Sequence, residues 1–283
     1  MTSLTCTQAL SAAQTLGLER LDAQLLLLHA LGKPATDRAW LTSHDQDVLS
    51  EDVDREYRQL SQRRAGGEPL AYIVGHQEFF GLKLWVDARV LVPRPDTETL
   101  VEWALQCAAE ADTNASARLL DLGTGSGAIA LALKKNMPSW DVTAVDASSQ
   151  ALAVALANAL QHGLDVHFME SNWFANVSGH FHLIVSNPPY VADDDPHLIA
   201  LMHEPQTALT AGADGLSDIR QIVARAQGYL QPGGWLLLEH GYDQAEAVCE
   251  LLRQTGFLDV QSRCDLAGIK RCSGGRHLGR QDG

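Results

Sequence analysis

Four consecutive residues, Asn187-Pro188-Pro189-Tyr190, bring together the groups needed to hold one flat amine. The Asn187 side-chain oxygen and the Pro188 backbone carbonyl are two acceptors, a match for the two hydrogens of an NH2 group. Pro189 stiffens the loop, because its ring fixes φ and removes an N–H. Tyr190 offers a flat face on which a planar group can pack. An amide or aromatic amino nitrogen is a poor nucleophile, since its lone pair is shared with the neighbouring π-system. Attack requires that pair to localise, and positive charge then grows on nitrogen. Two fixed acceptors would stabilise this charge, at roughly 3 kcal/mol each in the transition state. The same residues also make an ordinary strand-ending turn. Their setting favours chemistry: the apolar run His182–Ser186 delivers them to the ligand end of a sheet, downstream of a glycine-rich loop. Asn187, Pro188 and Tyr190 are the candidate catalytic residues, and Asn187–Tyr190 the candidate substrate-binding loop. The reaction class they suggest is methyl transfer to a planar NH2.

The loop is Gly123-Thr124-Gly125-Ser126-Gly127, reached directly from the apolar Leu119–Leu122. Glycines let the chain turn tightly and let a ligand approach the backbone, and the helix that follows supplies free N–H groups. The next strand ends in Asp146, nineteen residues after Gly127, where a carboxylate can accept from both ribose hydroxyls of an adenosine. Gly123-x-Gly125-x-x-Ala128 also satisfies a dinucleotide fingerprint, so NAD is a rival, and a tight turn without ligand is a second one. Asp121 shifts the balance. Just before the glycines it would repel a pyrophosphate but attract the ammonium of a methionine moiety. That favours S-adenosylmethionine, which has no phosphates, with S-adenosylhomocysteine as product. No metal is expected.

These loops need a scaffold of alternating strands and helices. Strands are expected at Arg118–Leu122, Asp141–Val145, Val166–Met169, His182–Ser186 and Trp235–Leu238, with a last strand-like region at Leu258–Arg263. Helices are expected over Ala128–Lys135, Ser149–Gln161, Ser217–Leu230 and Gln244–Gln254, and Pro232-Gly233-Gly234 reads as a turn. The alternation implies an α/β fold: a largely parallel sheet covered on both faces, with ligands at the carboxyl ends of its strands. Before it, residues 1–75 read as a small all-helical domain with helices near Thr7–Leu16, Leu21–Leu31 and Asp37–His44. A fourth is capped by Ser50, opened by Glu51, Asp52 and Asp54, and stopped at Gly66-Gly67. Residues 76–95 read as a β-hairpin linker turning at Asp87-Ala88-Arg89. Pro93 and Pro95 end it, and Asp96 is placed to cap the helix that opens residues 96–283. Arg94 and Asp96 allow either a local salt bridge and cap or a part in shaping the site.

Composition removes several classes of function. Asp and Glu number 35 against 21 Lys and Arg, a formal net charge of −14, and basic residues cluster only as the pairs Arg63-Arg64 and Lys134-Lys135. Such a surface repels phosphate backbones, which argues against nucleic acid and for small molecules or basic proteins as partners. Five scattered cysteines without a C-x-x-C pair suggest buried thiols in a reducing cytoplasm rather than disulfides or structural zinc. A secretory leader and a membrane span are not expected.

The residues, taken together, resemble a known family. Gly75–Gly81, Val90-Leu91-Val92-Pro93-Arg94-Pro95-Asp96-Thr97-Glu98, Asp121–Gly127, Asp146, Ser171-Asn172-Trp173-Phe174, Ser186–Tyr190 and Leu238-Glu239-His240-Gly241 follow in one order. Nearly the whole chain resembles the release factor glutamine methyltransferase family. The resemblance implies a Rossmann-like class I S-adenosylmethionine methyltransferase sheet with a helical, substrate-docking N-terminal domain. The activity it implies is methylation of the glutamine side-chain amide (N5) in the Gly-Gly-Gln loop of peptide chain release factors. It also implies that Gly123, Thr124, Gly125, Ser126, Gly127, Asp146, Trp173 and Asn187 contact the cofactor or lie beside it. Asn172 departs from the acidic residue usual before the tryptophan. The Leu-Glu-His-Gly run is read as packing at the sheet's end. Asn-Pro-Pro-Tyr also occurs in adenine-N6 and guanine-N2 methyltransferases, so a nucleic-acid amine is the alternative substrate. A module that binds adenosine without turnover is a third reading.

Overall fold

A computed structural model describes residues 4–110 and 117–279. The chain divides into two compact units, Met1–His76 and Gln77–Gly283.

The first unit is helical: α1 (Cys6–Thr15), α2 (Arg20–Ala30), α3 (Arg38–Ser43), α4 (Glu51–Ala65) and α5 (Leu70–Val74). Thr5 and Gln8 form a capping box on α1, and the Ser50 hydroxyl accepts from Val53 N–H on α4, satisfying donors the first turn leaves open. Leu26, Leu27 and Leu28 are fully buried with Cys6, Ala9, Leu41 and Tyr57. The Tyr57 hydroxyl donates to the Ala23 carbonyl at 3.1 Å, so burying the phenol leaves no polar atom stranded.

A hairpin follows, β1 (His76–Phe79) and β2 (Leu82–Trp85), with all but its first residue in the second unit. Its turn is Phe80-Gly81, not Asp87-Ala88-Arg89. Both turn residues have positive φ, 48° and 72°, the geometry that matches strand twist in a two-residue hairpin. Phenylalanine is disfavoured there. Glu98 compensates by accepting from Phe80 N–H at 2.9 Å, and Glu78 accepts from Gly81 N–H at 2.8 Å. Asp87–Val90 forms a separate turn beyond the hairpin.

The main sheet has seven strands in the order β5-β4-β3-β6-β7-β9-β8. They are β3 (Arg118–Leu122), β4 (Asp141–Asp146), β5 (His167–Glu170), β6 (Phe181–Ser186), β7 (Leu230–Glu239), β8 (Leu258–Cys264) and β9 (Lys270–Arg276). β3 to β7 pair in parallel, and β9 enters antiparallel between β7 and β8. The expectation that the chain's last strand was Leu258–Arg263 is therefore corrected. β9 escaped notice because Gly274 and Gly275 lack the side chains that make a strand legible. There a Cβ would come within 2.6 Å of Leu237 and 2.8 Å of Phe257, so only glycine fits. Pro232-Gly233-Gly234 is a bulge within β7 rather than a turn before it, and the helix expected to reach Leu230 ends at Ala226.

Helices α6 (Glu98–Glu110), α7 (Ala128–Asn136) and α8 (Ser149–His162) cover one face, and α9 (Ser217–Ala226) and α10 (Ala245–Gln254) the other. The alternation along β3 shows why: Leu119 joins the first core, Leu120 and Leu122 the second. The hairpin's Phe79, Leu82 and Leu84 belong to the first core as well. Among the described residues no helix is long and apolar enough to cross a membrane.

Candidate active site

Register places the chemistry. Val145, Leu122, Ser186 and Leu238 pair in one row across β4, β3, β6 and β7. The next residue on each strand is Asp146, Gly123, Asn187 and Glu239, so four functional groups leave the sheet at one level. β3 and β6 adjoin although the chain visits β4 and β5 between them. This is the topological switch point, where open α/β sheets bind ligands.

Each glycine after β3 has a separate reason. Gly123 (φ 72°) lies under the Trp173 ring, where a Cβ would stand 3.3 Å from it. Gly125 (φ 55°) faces open space, leaving room for a ligand against the backbone. Gly127 (φ 83°) lets α7 approach α8, since a Cβ would meet Leu131 at 3.1 Å and Ala155 at 3.2 Å. Asp146 accepts from Gly125 N–H at 2.9 Å on one oxygen and from Ser148 N–H at 2.8 Å on the other, so the half-buried carboxylate is held in place. Burial pushes its pKa up against those hydrogen bonds. Thr124 donates its hydroxyl inward to Asp121 at 2.6 Å, and the buried Ser126 gives its carbonyl to Asn158 at 2.9 Å. Asn158, fully buried on α8, also exchanges two hydrogen bonds with the Trp85 backbone, tying the glycine loop to the hairpin.

Asp121 is fully buried, and its Oδ1 has no hydrogen-bond partner among the described residues. Burial raises its pKa to about 7, opposed by the Thr124 hydroxyl. A buried carboxylate with an unsatisfied oxygen is a fitting seat for a cation. Trp173 adopts φ 51° and donates its indole N–H to Asp218 at 3.2 Å, while Asn172 is exposed.

On the neighbouring strand, Ser186 donates to the Leu122 carbonyl at 2.7 Å and clips β6 to β3. The Asn187 NH2 donates to the Thr97 hydroxyl at 3.3 Å, and its buried Oδ1 has no partner among the described residues. Pro188 is buried; Pro189 and Tyr190 are half-buried. Tyr190 is fixed at both ends. Its N–H donates to the Leu209 carbonyl at 3.2 Å, its carbonyl accepts from Gln244 at 3.0 Å, and its hydroxyl donates to Glu239 at 3.3 Å. Burial first, and the Glu239 charge second, hold the phenol well above its usual pKa.

Glu239 and Thr97 are the residues that sequence reasoning missed. The Leu-Glu-His-Gly run was read as packing, and His240 does pack, buried against Ser273 and the Gly241 carbonyl. Glu239, one position earlier, is fully buried with its pKa raised to about 7 by desolvation. The signal was present: a glutamate closing an apolar strand at the ligand edge. Asp96 does not cap the next helix. It lies inside a short 3-10 turn, Pro95–Thr97, and pairs with Arg271 at 3.3 Å. Arg94 pairs with buried Glu204, which also accepts from Val92 N–H at 3.0 Å. Neither partner is local in sequence, so the turn carrying Thr97 is anchored by charges from distant segments.

Gly215 supports the loop from below. At φ 70° an added Cβ would stand 2.3 Å from the Tyr190 carbonyl oxygen, so backbone must move. Gly215→Ala is expected to lower kcat about tenfold through loop displacement and to cost about 1–3 kcal/mol of stability. Steady-state kinetics with thermal unfolding checks both.

Residues 104–241 match the family Methyltransferase small domain, and residues 5–75 the PrmC N-terminal domain. A methyltransferase from Pyrococcus furiosus shares the fold at a TM-score of 0.52 and 19% identity, covering 80% of this chain and 99% of its own. The hMettl16 catalytic domain, solved in complex with an RNA hairpin, does so at 0.58 and 17%, covering 78% and 83%. Fold and site together define a methyltransferase. The release factor glutamine methyltransferase of Bordetella pertussis is 48% identical over 92% of this chain and 95% of its own length. That of Pseudomonas aeruginosa is 49% identical over 91% and 92%. The chain belongs to the release factor glutamine methyltransferase family.

Proposed function

We propose that the chain methylates the side-chain amide nitrogen of the glutamine in the Gly-Gly-Gln loop of peptide chain release factors, modulating translation termination. The observation that carries this reading is the Asn187 side chain. Its NH2 is taken up by Thr97, which leaves a buried oxygen with no partner among the described residues, on the strand next to the one that ends in the glycine loop. An acceptor so placed suits one hydrogen of a planar NH2, and the Pro188 carbonyl suits the other. Family membership supports glutamine over a nucleic-acid base, and so does the net charge of −14. S-adenosylmethionine, when bound, supplies a methyl group on a positive sulfur that takes back the carbon–sulfur electron pair.

The chain's residues do the rest. Asp121 would hold the ammonium, Asp146 the ribose hydroxyls, and the Gly123–Gly127 backbone the adenosine, with Trp173 beside it. Asn187 and Pro188 hold the amide, localise its lone pair and stabilise the charge that grows on nitrogen. Tyr190 packs on the amide plane. The methylated nitrogen then loses its proton to water. No side chain need act as base, because the cation is acidic. The helices between Cys6 and Val74 serve as a docking module for the release factor in the cytoplasm, without nucleic acid or membrane as partner.

Incubation with methyl-labelled cofactor and a release factor tests this reading. Label is expected on the intact protein and not on one whose motif glutamine is replaced. Equal labelling of the two rejects it.

A further inference from the structure

We infer that Glu239 is a positioning residue, which acts through the Thr97 hydroxyl to decide which end of the Asn187 amide faces the substrate. The inference rests on the proposed role of Asn187. Thr97 has one proton and two lone pairs. Its hydroxyl and that of Tyr190 both hydrogen bond to the Glu239 carboxylate. Ionised, as it is above pH 7, the carboxylate only accepts, so the Thr97 proton is then spent on Glu239 and the hydroxyl can only accept from its other neighbour. That neighbour is Asn187, which must present its NH2, and does so at 3.3 Å. The carbonyl end of the amide is thereby turned away from Thr97.

An asparagine held by nothing can turn over and offer donors where the substrate also has donors. The cost of burying Glu239 is an ionised group out of water, and Glu239 bears it with one oxygen, Oε2, that has no partner among the described residues. Arg271 and Asp96 reach the same carboxylate with opposing charges. Replacing it by an apolar residue would remove this burden, so its presence calls for a function rather than stability. The same carboxylate holds the Tyr190 ring from its hydroxyl, so the acceptor and the stacking face are set by one group.

The test is a double-mutant cycle with a release factor as methyl acceptor, measuring kcat, KM for the acceptor, and S-adenosylhomocysteine affinity by calorimetry. Thr97→Val and Glu239→Gln are each expected to lower kcat about 30-fold, while cofactor-product affinity changes less than about threefold. The double variant is expected to be no worse than the poorer single, since both cut one relay. Thr97→Ser keeps the hydroxyl and should restore kcat to within about threefold of wild type. Losses that multiply in the double variant, or a serine that fails to rescue, overturn the relay. Should Glu239→Gln not fold, the Val and Ser pair at Thr97 still decides. Asn187→Ala runs alongside: if it keeps wild-type kcat, the reading beneath the relay falls. If it is inactive while Thr97→Val is fully active, the relay alone falls.

Discussion

Asn187→Ala should lower the rate of methyl transfer by about 100- to 1000-fold, with S-adenosylhomocysteine bound within a few fold of wild type. On the proposed role of Asn187, alanine removes the acceptor at the point where charge develops, and water is a poor substitute because it must reorganise during the step. The loop itself should persist. Ser186 clips β6 to β3, and Tyr190 is held by Leu209, Gln244 and Glu239, none of them through Asn187. Single-turnover rates, calorimetry and thermal unfolding on the same preparation separate these effects. A rate within threefold of wild type would remove Asn187 from the mechanism.

Cofactor affinity should depend on pH through Asp121. Burial raises its pKa to about 7, so below that pH the acid is protonated. A cationic ammonium beside Oδ1 favours the carboxylate and draws its pKa back down. Binding therefore releases a proton in acid, and affinity is expected to rise from pH 6 to pH 8 and then level. Asp121→Asn should weaken S-adenosylhomocysteine binding about 100-fold at pH 8 and flatten this profile. Calorimetry in buffers of different ionisation enthalpy reads the proton directly. An unchanged profile in the variant would place the ammonium elsewhere.

The same carboxylate has an effect on the fold. Its pKa is raised on folding, so the stability it contributes is complete below the usual 3.8 and is lost as pH rises through about 7. A group that weakens the free protein at working pH, yet sits beside a glycine loop, is explained by a ligand that restores the balance.

Much of this architecture was legible from residue order. The strands flanking the two loops show as short apolar runs ending in Gly123, Asp146 and Asn187, and five of the seven were expected within about two residues. What stayed hidden was long-range. Phe80 turns the hairpin only because Glu98, eighteen positions on, accepts its N–H. Arg94 and Asp96 find Glu204 and Arg271 across the fold, where local spacing suggested a cap. β9 is masked by glycines that its neighbours require. Glu239 was passed over because a strand-end glutamate is unremarkable until register sets it level with Asn187. Types of chemistry are written in adjacent residues; the partners that aim them come from elsewhere in the chain.

Fragment mass spectrometry of a release factor incubated with the chain and S-adenosylmethionine locates the transferred methyl atom by atom. One added methyl is expected on the side-chain nitrogen of the Gly-Gly-Gln glutamine, absent when Asn187→Ala replaces the wild-type chain. A methyl group found on any other atom, or an unmodified glutamine beside methylated nucleic acid, would contradict the proposed function.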